Sequence, residues 1–171
     1  MKKLMMLLIE LICIFYIVNS FNNYTMSLPI PIGPSKIENR ILKEIEEDLI
    51  VLKAPTAKIP KLAQCVYTTH QVTGINPKLI VALMKTESDF NENAVGPKNR
   101  TKIRYKGILQ TPTTSNYTDV DILHGVRILE EKLKISNNDL PKALALYKGG
   151  DNKVARKQAN EVLKIYKSLQ K

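Results

Sequence analysis

Tryptophan is absent from this sequence, aromatic residues make up only 6% of it, and 171 residues hold just two histidines and two cysteines. Each scarcity removes a class of chemistry. There is no HExxH and no paired-cysteine motif, and His70 and His124 stand far apart, so no spacing matches a protein metal site. The two histidines read as ordinary helix residues, and neither a metal nor a cofactor is expected. The phosphate-cradling glycine loop and the GxSxG elbow are also missing. Cys65 and His70 lack a third group to orient them as a nucleophile pair. Few aromatics accompany the cations, which argues against a nucleic-acid partner, because single-stranded bases stack on aromatic faces.

What is present begins with a leader. Lys2 and Lys3 precede an apolar stretch from Leu4 to Val18, broken only by Glu10 and followed by Asn19 and Ser20. That is the layout of a secretory signal over residues 1–20. The stretch falls short of the ~20 apolar residues a spanning helix needs, and Glu10 at its middle would cost about 2.5–3.5 kcal/mol on insertion. A cleaved leader is therefore expected ahead of an uncleaved N-terminal anchor, which would be the chain's sole link to a membrane. Cys13 follows Ile12, a poor fit to the small residue that lipidation usually wants. Once the leader is removed, Cys65 has no partner for a disulfide and reads as a small buried hydrophobe. The formal charge of +10 favours an anionic partner, and export makes acidic lipid or an acidic wall polymer better candidates than nucleic acid.

Residues 21–34 hold three prolines, a glycine and several Asn and Ser, the composition of a tether. Ser35 to Glu38 matches a capping box, and Ile37, Ile41, Ile45, Leu49 and Leu52 follow as one helical stripe, with Pro55 and Pro60 expected to end it. This accessory helix and linker span residues 35–60. A second helix is expected over about Lys61 to Thr73, closed by Gly74, and a third after the N-cap Asn76 and first-turn Pro77. Periodicity disappears between Asn91 and Asn116, where a functional loop or small sheet is expected. It returns from Thr118 or Asp119 through Leu133, then in a short helix to Tyr147 closed by Gly149 and Gly150, then in a last helix that Asp151 can cap.

The third helix raises the functional question. Leu79 to Met84 is an unbroken apolar run, and helical spacing from Ile80 passes through Leu83 and Met84 to Glu87, placing a carboxylate on the inward line. Desolvation disfavours the charged form of such a group and raises its pKa. A raised acid can protonate a leaving oxygen, as glycosidic cleavage requires. The plain alternative is a Glu at a helix end that turns to water.

Five segments add context: Glu87-Ser88, Asn93 to Pro97, Gly107 to Pro112, Asp119 to Gly125, and Ala143 to Gly150. In that order they resemble the signature blocks of the lytic transglycosylase family with the soluble-lytic-transglycosylase, lysozyme-like domain, over roughly residues 61–169. The resemblance implies an all-α, lysozyme-like domain over residues 61–171, with one long irregular loop or small β-hairpin lining a glycan cleft. It implies cleavage of the MurNAc to GlcNAc β-1,4 bond of peptidoglycan with formation of a 1,6-anhydro end. Glu87 would be the single acid and base, Ser88 would position substrate or Glu87, Gln110 would line the cleft, and Tyr147 would approach the reacting sugar or the acid. A second carboxylate for hydrolysis could come from Asp89 or Glu92, but Asp89 points elsewhere on a helix and Glu92 falls on the loop.

Two departures stand out. The family commonly has Asn where this chain has Lys148 and usually Asn where it has Asp121. Lys148 could lower the pKa of a neighbouring Glu, hold an acidic stem peptide, or be a solvated lysine before a helix cap. The loop before Gly107 reads Lys98, Arg100, Lys102, Arg104, Lys106, cations that would share one face if extended and form a solvated hairpin otherwise. The expected setting is the periplasm or cell envelope, with peptidoglycan strands as partner and service to a secretion, conjugation or phage apparatus as one use. Rival readings are a water-using muramidase of goose-lysozyme type and a non-catalytic wall-binding assembly protein.

Overall fold

The computed structural model describes residues 35–98, 104–112 and 117–171. The expected leader at 1–20 and tether at 21–34 lie outside the described residues, as do Arg100 and Lys102 of the basic loop. Six helices follow in order: α1 (Lys36–Val51), α2 (Ile59–Thr73), α3 (Pro77–Ser88), α4 (Thr118–Ile135), α5 (Leu140–Tyr147) and α6 (Lys153–Ser168). A short 3-10 turn, Thr56–Lys58, precedes α2, and the strands β1 (Val95–Lys98) and β2 (Arg104–Lys106) form an antiparallel hairpin between α3 and α4. The architecture is all-α with one small hairpin, as the sequence predicts. None of the described helices is long and apolar enough to cross a membrane.

Helix α3 occupies the centre. Leu79 through Met84 are all buried, five of them wholly so on successive faces, and a helix apolar all round has to be covered all round. It packs on α1, α2 and α6, while α2 also packs on α1 and α4, and α5 bridges α4 and α6. Asn76 starts α3 by accepting a hydrogen bond from the Lys78 amide at 2.9 Å, and Asp89 ends it in the left-handed conformation (φ 53°). The short loops at both ends fix where the last turn, with Glu87, emerges.

Helix α1 shares this core. Ile45 and Leu49 sit in the same buried cluster as Ile80 and Leu83. Lys78 reaches both oxygens of Asp48, at 3.0 and 3.1 Å, and the Tyr67 hydroxyl donates to Glu38 at 2.9 Å.

Two boundaries differ from expectation. Helix α1 stops at Val51, short of Pro55, and Pro60 opens α2 instead of ending α1. Proline suits a first helical turn because its missing N–H would have no partner there. At α6 the cap is Asn152, whose Oδ1 accepts from the Val154 and Ala155 amides at 3.0 Å. Asp151 is one residue too early and instead accepts from Arg156 at 2.6 Å.

The basic stretch is also not one extended strand. Lys98 pairs with Arg104 across the hairpin and Val95 with Lys106, so the chain reverses within the run of alternating cations.

Candidate active site

Glu87 lies in the last turn of α3 with its side chain 13% exposed, so the inward placement read from helical spacing holds. Its Oε1 is 2.7 Å from Nζ of Lys148, whose side chain is only 8% exposed. Lys148 follows the last residue of α5 and serves as its C-cap, with a second contact at 3.4 Å to Oγ1 of Thr86. The solvated reading of Lys148 is therefore overturned: the fold of α5 against the core turns this lysine onto the acid.

Three influences act on the Glu87 proton. Burial disfavours the carboxylate and pushes its pKa up; Lys148 pulls it down by charge and hydrogen bonding; Asp121 adds a smaller upward push. Burial wins, and the net direction is upward. An ion pair and a raised pKa coexist because both partners are largely withdrawn from water.

Ser88 and Tyr147 meet on one short segment of backbone. Ser88 Oγ donates to the Ile108 carbonyl at 2.8 Å, and the Tyr147 hydroxyl donates to the Leu109 carbonyl at 3.2 Å. The Tyr147 phenol is pushed well above its ordinary pKa by burial and by the negative charges of Glu87 and Asp121, so it remains a neutral donor. Gln110 follows on the same segment. It adopts a positive φ of 50°, and its Nε2 donates to the Gly107 carbonyl at 2.8 Å, bracing its own turn with no hydrogen bond to Glu87.

The loop carrying these carbonyls hangs on a residue that was not singled out as a site residue, Asp121. Its Oδ2 accepts from the Leu109 amide at 2.9 Å and its Oδ1 from the Thr111 hydroxyl at 2.6 Å, with 3% of the residue exposed. Lys106 and Thr111 exchange backbone hydrogen bonds at 3.1 and 3.0 Å, closing the turn. Gly107 holds φ +84°, and a Cβ there would lie 2.5 Å from Asp121 Oδ2. Gly125, one turn along α4 from Asp121, leaves room for Leu109, which a Cβ would approach to 2.6 Å. The signal for Asp121 was available: it shares the buried face of α4 with Ile122, Gly125 and Val126, as Glu87 shares that of α3.

Glu92, considered as a second carboxylate, is already committed. It accepts from Lys61 at 2.6 Å, pairs with Lys58 at 2.9 Å and takes a short hydrogen bond from the Thr118 hydroxyl. These partners tie the start of α2, the loop after α3 and the start of α4 together, and they hold the Glu92 pKa at about 2. A depressed acid stabilises the fold above its unfolded pKa of about 4.5, and that contribution is lost as pH falls toward about 2. Glu92→Gln is expected to lower stability by about 1–2 kcal/mol at pH 7, the exposed lysines screening part of the shift. Thermal melts should show the gap to wild type closing between pH 4.5 and 2. Asp89 is 73% exposed and pairs with Lys85, so it too faces away from the acid.

A recess of about 250 Å³ runs beside the hairpin, walled by Glu92, Asn93, Val95, Lys106, Ile108 and Asp121. Glu87 is not among its walls, but Ile108 belongs to both the recess and the loop beside the acid, and Asp121, also a wall, anchors that loop from α4.

A protein-family model described as the transglycosylase SLT domain matches residues 64–169, which include Glu87, the hairpin, the Asp121 loop and Lys148. No curated protein and no solved structure matches the chain.

Proposed function

The chain belongs to the transglycosylase SLT domain family, a lysozyme-like, glycan-cleaving family, and from that premise we propose that it cuts peptidoglycan by lytic transglycosylation with Glu87 as the single acid and base. Protonated Glu87 gives its proton to the oxygen of the MurNAc to GlcNAc bond as the C1–O bond breaks. The resulting carboxylate then takes the proton of the same sugar's C6 hydroxyl while O6 bonds to C1. The acid is regenerated, a 1,6-anhydro end forms and no water is consumed.

The observation that carries this reading is the isolation of Glu87. Asp89, Glu92 and Asp121 are each occupied elsewhere, by Lys85, by two lysines and Thr118, and by the Leu109–Thr111 backbone and hydroxyl. Two-carboxylate hydrolysis needs a second acid free to activate water or form a covalent bond about 5–9.5 Å away. An internal nucleophile removes that need. In this reading Ser88 and Tyr147 position the acid by bracing the Ile108–Leu109 backbone, and Gln110 shapes the turn that borders the cleft. The setting is the cell envelope, reached by the leader, with glycan strands as substrate and local opening of the wall for an envelope-spanning apparatus as the use.

Mass spectrometry of digested peptidoglycan tests the reaction. Anhydro-muramyl ends are expected; reducing ends would assign the chain to water-using muramidases, and no soluble product from wild type would leave a wall-binding protein.

The ion pair adds a pH signature. Cleavage needs protonated Glu87, so the rate falls as pH rises through its pKa. Lys148 lowers that pKa. Lys148→Met is therefore expected to move the alkaline limb of the rate profile to higher pH, which pH-rate measurements on a soluble glycan would read directly.

A further inference from the structure

Lys148 presents a mismatch that the reaction alone does not explain. An ammonium held 2.7 Å from an acid that must be protonated favours the wrong charge state, and both side chains are too withdrawn for water to mask the effect. The ammonium has three donors, and its partners among the described residues are two, Glu87 and Thr86. One donor is thus left at a group still 8% open to the outside.

Resting on the transglycosylase reading, we propose that Lys148 is a specificity residue that exchanges Glu87 for a carboxylate carried by the reacting muramyl sugar itself, so that the enzyme favours glycan whose lactyl group is free of its stem peptide. The geometry sets the range. A general acid stands within about 3 Å of the oxygen it protonates, and Nζ of Lys148 is 2.7 Å from that acid. An anion on the same ring lies within one sugar's width of both. Carboxylates farther along a stem peptide do not meet that condition, and the lactyl group of a peptide-bearing sugar is an amide with no charge to offer.

The exchange also resolves the mismatch. A substrate carboxylate replaces Glu87 as the counter-ion of Lys148, the ammonium stays compensated, and Glu87 loses the contact that favours its ionised form. Glu87, Asp121 and Tyr147 are the ionisable groups around this point. Tyr147 stays neutral, and Asp121 is held by the loop, so Lys148 is the group free to change partner. A substrate lacking the carboxylate has to be cleaved with the resting pair in place. Thr86, at 3.4 Å, offers a neutral hydroxyl that can hold the ammonium during the change.

The test compares three soluble glycans of equal length: one with free lactyl carboxylates, one with those groups converted to simple amides, and one with intact stem peptides. Wild type is expected to show kcat/KM at least tenfold higher on the first than on either other. Lys148→Met should flatten the difference to within about twofold, and Lys148→Arg should keep part of it. Equal rates of wild type on all three, or a preference that survives in Lys148→Met, would overturn the proposal. A preference for intact stem peptides would place the recognised carboxylate on the peptide and overturn it as well. Calorimetric binding of the first two glycans to the Glu87→Gln protein and to the Glu87→Gln, Lys148→Met double variant reads the same exchange without turnover. If wild type cleaves nothing, the transglycosylase reading fails, and this binding comparison still decides the role of Lys148: tighter carboxylate binding lost with the lysine supports it, indifference refutes it.

Discussion

Glu87→Gln is expected to reduce release of soluble muropeptide about 1,000-fold, the scale that positioned acid–base catalysis contributes. The substitution keeps shape and volume and removes only the proton that can be transferred. Lys148 then faces an amide carbonyl in place of a carboxylate, at a position where its side chain is 8% exposed. Leaving a buried ammonium without its counter-ion costs about 3 kcal/mol or more, so the variant should also melt earlier than wild type. Glu87→Gln combined with Lys148→Met separates the two effects: stability should return, since neither charge remains, while cleavage stays lost. Zymography with quantified product release, read beside thermal melts, checks both. Retention of more than a tenth of wild-type activity in a folded Glu87→Gln protein would remove Glu87 from the chemistry.

The difference between what was legible in the sequence and what was not follows from the range of the interactions. The inward direction of Glu87 was readable because three side chains at helical spacing, Ile80, Leu83 and Met84, fix the buried face of α3 within one element. The Asn76 cap and the Gly74 stop were readable for the same reason, each acting within two to four residues. The Lys148–Glu87 contact joins residues far apart in the chain, and spacing says nothing about it. Only packing of α5 and α6 against α4 and α3 turns the lysine inward. Gln110 has a second task that its place in the chain did not announce. Its place in a recognisable block implies a residue lining the cleft beside the acid, and its positive φ and its bond to the Gly107 carbonyl add a part in holding the turn. Asp151 illustrates the limit of local rules: two adjacent residues can both cap a helix, and the choice of Asn152 depends on where the turn after Gly150 delivers the chain.

Asp121→Leu is expected to release the loop at the site. A leucine is close in size but accepts nothing, so the buried Leu109 amide and the buried Thr111 hydroxyl both lose their acceptor. At about 1–3 kcal/mol for each unsatisfied group, the loss should reach about 3 kcal/mol, or a drop in Tm of roughly 6–12 °C for a chain of this size. Activity should fall about 100-fold in the protein that remains folded, because the Ile108 and Leu109 carbonyls that receive Ser88 and Tyr147 ride on the released loop, and a shift of about 1 Å near a reacting centre costs that much. Asp121→Asn isolates the charge from the scaffold. The amide oxygen can accept from Leu109 and the amide nitrogen can donate to the Thr111 oxygen, so stability should change by less than about 1 kcal/mol. The lost negative charge removes an upward push on Glu87, and the alkaline limb of the rate profile should move to lower pH, opposite to Lys148→Met. Two single substitutions that displace one titration in opposite directions mark a group within electrostatic reach of both, and Glu87 is a residue on which both charges act.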